Sequence, residues 1–197
     1  MKKKLLLTGI CVVCVAVIVG LFYYFTVMRG SKNVENEIEL TEVQQIITRD
    51  LSLKYPETPR EVVKLYSRII DCFYGEQYSD DEFYQLGDMA RELFDKDLLE
   101  QNPRDAYFEE LMAEIATYRE DGRKILNWSV SKTSEIKYET VGKQKYAYVD
   151  ASYFLNGSKT FGFAYQTYML RKDADGKWKI LAFYETKEKG EDDAKTD

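Results

Sequence analysis

The sequence predicts an α+β protein: an N-terminal transmembrane helix, then three to four helices packed on a four-stranded antiparallel sheet. Three observations carry that expectation. Residues 5–27 form a run of 23 with no charge and no proline. From residue 40 to about residue 120 the apolar side chains recur at helical spacing. After Gly122 the period falls from 3.6 to 2, with glycine turns between the alternating segments.

A helix over residues 5–27 would cross the roughly 30 Å hydrocarbon layer of a bilayer, because each residue adds about 1.5 Å. Lys2, Lys3 and Lys4 stand before the run and Arg29 alone close behind it, which orients the N-terminus to the cytoplasm. No small-residue cleavage site follows, so the expected state is an uncleaved anchor. The expected organisation is a cytoplasmic tail (1–4), a transmembrane anchor (5–27), a polar linker (28–39), an extracytoplasmic domain (40–186) and a charged, disordered tail (187–197). Localisation follows as single-pass in the cell membrane, with the membrane bound through residues 5–27.

Leu40, Val43, Ile46, Ile47 and Leu51 predict a short amphipathic helix. A longer one starts at Thr58 and Pro59, a cap followed by the residue best tolerated in the first helical position, and runs with Val62, Leu65, Tyr66, Ile69, Ile70 and Phe73 to Gly75. Ser79 and Glu82 form a capping box for a third, striped by Phe83, Leu86, Met89, Ala90, Leu93 and Phe94. After Asn102-Pro103 a fourth carries Tyr107, Leu111, Ile115 and Tyr118.

The first strand is expected from Trp128 and Val130 through Ser134 to Val141, turning at Gly142 into a second with Tyr146, Tyr148, Val149 and Phe154. Asn156-Gly157 signals a hairpin into a third, where Phe161, Phe163, Tyr165, Thr167 and Met169 share a face. Asp175-Gly176 signals another, into a strand in which Trp178, Ile180, Ala182 and Tyr184 alternate with charged residues.

Composition excludes several functions. The chain has no histidine, which removes the common nucleophile triads and the usual zinc ligand sets. Beyond Arg29 it holds 24 basic and 34 acidic residues, a formal charge of −10 that argues against nucleic acid as a partner. Cys11 and Cys14 fall in the apolar run and read as small apolar residues. Cys72 reads the same way, in the second helix. Asp173-Ala174-Asp175-Gly176 begins like a calcium loop, but its later ligands are missing, so it reads as a turn. No metal and no cofactor are expected.

From Pro59 to Thr186 the chain resembles the nuclear transport factor 2-like superfamily, which includes ketosteroid isomerase and scytalone dehydratase. The capped helix with Tyr66, Ile69, Ile70 and Phe73, the acidic helix behind it and the hairpin from Asp173 to Ile180 carry the resemblance. It implies a curved sheet, a cone-like fold with a concave pocket, and no transferable catalytic set.

The expected site residues are Tyr148, Asp150, Tyr165 and Tyr184, on a tyrosine-rich sheet. The first reading is a non-enzymatic binding or assembly module recognising a protein of the cell envelope. The alternative is an isomerase- or dehydratase-like small-ligand pocket in which Asp150, walled by aromatic rings, acts as a general base with Tyr148 or Tyr165 as hydrogen-bond donor.

Overall fold

The computed structural model describes residues 40–157 and 161–187. These contain α1 (Glu42–Ile47), α2 (Pro59–Gly75), α3 (Asp80–Glu92), α4 (Lys96–Gln101) and α5 (Arg104–Glu120). Strands follow as β1 (Lys124–Val130), β2 (Lys137–Val141), β3 (Gln144–Asn156), β4 (Phe161–Lys172) and β5 (Trp178–Thr186).

The expected fold class is corrected in three respects. Five helices and five antiparallel strands are present among the described residues, where three to four helices and four strands were expected. No helix among them is long and apolar enough to cross a membrane. The longest, α2 and α5, have 17 residues each and carry charges throughout. The expected anchor and linker (5–39) and most of the expected tail (188–197) lie outside the described residues, so the single-pass architecture has no place in the fold described here.

Local chemistry accounts for the helix starts. Thr41, Thr58 and Ser79 each accept a hydrogen bond from the backbone of the third residue of the helix they precede, and the side chains of Gln44, Glu61 and Glu82 accept one in turn from the cap's backbone N–H. The unexpected α4 is capped by Asp95, whose carboxylate accepts from Asp97 N at 3.0 Å. It has no buried residue, hence no apolar stripe by which to recognise it.

The extra strand arises because β3 is long enough to pair with two partners along one edge. β1 pairs with its second half, from Lys124 opposite Asn156 to Val130 opposite Ala151. The chain then leaves the sheet through a short 3-10 turn, Thr133–Glu135, and returns as β2 against Gln144 to Tyr148. On its other edge β3 pairs with β4 and β4 with β5. Gly142, at φ +62°, takes the glycine-first position of the tight β2 to β3 turn.

Rings of Tyr138 on β2 and Trp178 on β5 lie 5.9 Å apart, on the same side of the sheet. The inner side holds Ala147, Val149, Ala151, Tyr153, Tyr168, Leu170 and Ile180, all buried. Against them pack Val62, Leu65, Tyr66, Ile69 and Phe73 of α2. Cys72 is buried there as a small apolar residue, as expected. On the far side of the helical layer, a Cβ on Gly87 of α3 would lie 2.2 Å from the Phe108 ring of α5, so only glycine permits this approach.

A polar knot ties the helices to β5. Asp95, 3 % exposed, pairs with Arg171, which also meets Asp97 at 2.8 Å. Asp95 N donates to Ile180 O and Ile180 N to Leu93 O, both at 2.8 Å. Through these bonds Phe94 forms a parallel bridge to Ile180. Leu93 and Phe94, expected as part of the third helix, leave it to make this contact.

Candidate functional site

Strand parity decides where the expected residues fall. Along β3 the odd positions from 147 to 153 are buried, so Tyr146, Tyr148, Asp150, Ser152 and Phe154 point away from the helices. The pairing of Tyr148 with Met169, Asp150 with Thr167 and Ser152 with Tyr165 puts Tyr165 on the same outer face.

Tyr184 joins them because of a bulge. Met169 is opposite Ala182 but Leu170 is opposite Ile180, so Leu181 is an extra residue in β5. The single alternation expected for this strand therefore breaks: Trp178 and Ile180 face the core, whereas Ala182 and Tyr184 face outward. Tyr184 sits opposite Thr167.

All four expected residues line one open groove of about 500 Å³, together with Ser129, Ser131, Ser152 and Thr167. Thr167 Oγ1 donates to Asp150 Oδ1 at 2.7 Å, and the Asp150 carbonyl accepts from Ser131 N at 2.8 Å. The Ser129 and Ser152 hydroxyls are 2.9 Å apart. Tyr148 Oη donates to Glu139 at 3.1 Å. Partial desolvation in the groove and that carboxylate raise the Tyr148 phenol above its ordinary range. The Ser131 hydroxyl is buried and has no hydrogen-bond partner among the described residues.

The expectation for Asp150 is therefore met in one part and corrected in another. It shares a side with Tyr146 and Phe154, but that side is the uncovered face of the sheet. The cavity between helices and sheet, about 240 Å³, is lined by Tyr153, Leu155 and Gln166 from the opposite face.

A feature absent from the expected site adjoins the groove. Phe161, Phe154, Phe163 and Tyr165 form a continuous strip, with successive ring centroids 5.9, 4.9 and 5.8 Å apart. Phe161 is 66 % and Phe163 59 % exposed. Their shared side was visible in the alternation of β4; that no described residue covers it was not.

Residues 1–183 of the 197 match the family described as Domain of unknown function (DUF6715). The chain belongs to that family. No curated protein matches it. The DUF6715 match takes in β1 to β4 whole and β5 as far as Phe183, and with them the aromatic strip and the groove except for Tyr184, Thr186 and Lys187. Among the described residues no group of three or more histidine, cysteine, aspartate or glutamate side chains is placed to hold a metal.

Proposed function

We propose that the domain is a non-enzymatic binding module that recognises a protein partner with the uncovered face of its sheet. The observation that carries this reading is the strip of Phe161, Phe154, Phe163 and Tyr165 standing in solvent beside a hydroxyl-lined groove. Contiguous exposed aromatic surface costs solubility unless a partner covers it, and aromatic side chains are enriched at the buried centres of protein interfaces. The groove supplies the polar rim: Tyr148, Tyr184, Thr167 and Asp150 offer directional hydrogen bonds, and the Ser131 hydroxyl remains to be satisfied.

A general base at Asp150 is less well supported, because that role needs a carboxylate walled from water. Asp150 lies in an open groove and is half-buried, with Thr167 donating to it. The resemblance to the cone-like superfamily stays part of the proposal; helices covering one side of an antiparallel sheet support it.

The test places a photo-reactive phenylalanine analogue at position 163, or at Glu109 on the outside of α5, in the full chain in its native cells. A discrete crosslinked protein from position 163 only, lost when Tyr165 and Phe154 become serine, supports the reading. Equal labelling from both positions, or none from position 163, overturns it.

A further inference from the structure

The cavity on the helix side of the sheet differs in chemistry from the groove. It lies between α2, α4, α5 and the inner sheet face, and its volume of about 240 Å³ is near the lower end for small-ligand sites. Its walls include the rings of Tyr66, Tyr74, Phe94, Tyr107 and Tyr118.

The α5 wall brings two carboxylates to the edge of this aromatic cavity. Tyr107, Glu110, Leu111, Glu114 and Tyr118 recur at steps of three and four and so form one stripe of the helix. Glu110 and Glu114 are exposed and stand at the mouth of the cavity, beside the half-buried Tyr107, Leu111 and Tyr118. Tyr74 Oη donates to Glu114 Oε1 at 2.7 Å, which fixes that carboxylate, while the Tyr74 and Tyr118 rings lie 4.5 Å apart at 34°.

Among the described residues no lysine or arginine lines this cavity. Arg91 and Arg123 contact the rings of Tyr107 and Tyr118, at 5.3 and 5.5 Å, without forming part of its wall. Aromatic faces present negative charge and bind alkylated ammonium groups, whose apolar substituents also favour leaving water. Carboxylates at the rim attract a cation and repel an anion.

We propose that this cavity binds a small organic ammonium ion, its cationic head against the Tyr74, Tyr107 and Tyr118 rings and beside Glu110 and Glu114. The site is separate from the outer sheet face and stands whether or not that face binds a protein.

Choline and its neutral isostere 3,3-dimethylbutan-1-ol test it, titrated calorimetrically into the full chain. Choline is expected to bind roughly tenfold or more tightly than the alcohol. The Glu110→Gln, Glu114→Gln double variant, whose carboxamide can still accept from Tyr74, should weaken choline about tenfold with an unchanged circular dichroism spectrum. Tyr107→Leu should weaken choline further while sparing the alcohol. Equal affinity for the two probes, no choline binding up to millimolar concentration, or full binding by the double variant would overturn the proposal.

Discussion

The inner and outer faces of β3 and β4 are interleaved in the same two stretches of chain, yet they are built to different ends. Inward positions such as Val149, Tyr168 and Leu170 are buried completely, and the phenols among them are closed into a chain of hydrogen bonds. Ser67 meets Tyr153 at 2.8 Å, Tyr153 meets Tyr168 at 2.8 Å, and Tyr168 donates to Gln166 at 2.6 Å. Outward positions carry six aromatic rings against two inward, Tyr153 and Tyr168, and leave Phe161 and Phe163 largely in water. Aromatic content does not mark the core face; what covers a face does.

Adjacent residues on β4 give the sharpest contrast. Leu170→Ala, on the buried side, is expected to cost about 2–5 kcal/mol in urea unfolding, because the cavity it leaves cannot be refilled by water. Met169→Ala, one residue earlier and facing outward, should cost well under half as much. Similar losses for both would remove the distinction between the faces.

Tyrosine to phenylalanine changes make the next comparison. Tyr168→Phe removes the hydroxyl that Gln166 accepts from and one of the two hydroxyl partners of Tyr153, and should destabilise by about 1–3 kcal/mol. Tyr165→Phe on the outer face should stay within about 0.5 kcal/mol.

The covered side carries a pH-dependent contribution at Cys72. Burial, reinforced by Glu42, Asp71 and Glu76, pushes the Cys72 thiol from its ordinary 9.0 up to about 12. The folded chain then holds this proton more tightly than the unfolded chain does. The stabilisation is complete below about pH 9 and is lost as pH rises from there through about 12. Cys72→Ala should flatten the alkaline fall in melting temperature, and an unchanged slope would show that the thiol contributes none of it.

Smallest in stability is Phe163→Ser, expected within about 0.5 kcal/mol of the parent because the ring is already solvated. Its effect should appear in partner crosslinking instead. A large stability loss there would mean the outer strip is a second core.

Much of the helical layer was legible because its signals are local: Thr58 with Glu61 and Ser79 with Glu82 are capping pairs readable within four residues. The break between β1 and β2 was not, since it depends on β3 having length enough for two partners on one edge. Four candidate residues were found together because three share a parity. Tyr184 reached them by a bulge at Leu181 that no alternation shows. Which face lay open was hidden because both sides of β3 and β4 carry aromatic residues. The α5 carboxylates were overlooked for a related reason, as an acidic helix face normally reads as solvated.

The knot at Asp95 sets an order of events. Bonds from Leu93 and Asp95 to Ile180, and from Tyr55 Oη to Trp178 O at 2.9 Å, join segments separated by most of the domain's length. A ribosome delivers α1 to α5 long before β5, so the apolar stripes of those helices wait uncovered until the β4 to β5 hairpin emerges. Closing such distant contacts slows folding, and the helical half released alone would be a substrate for chaperones rather than a folded unit.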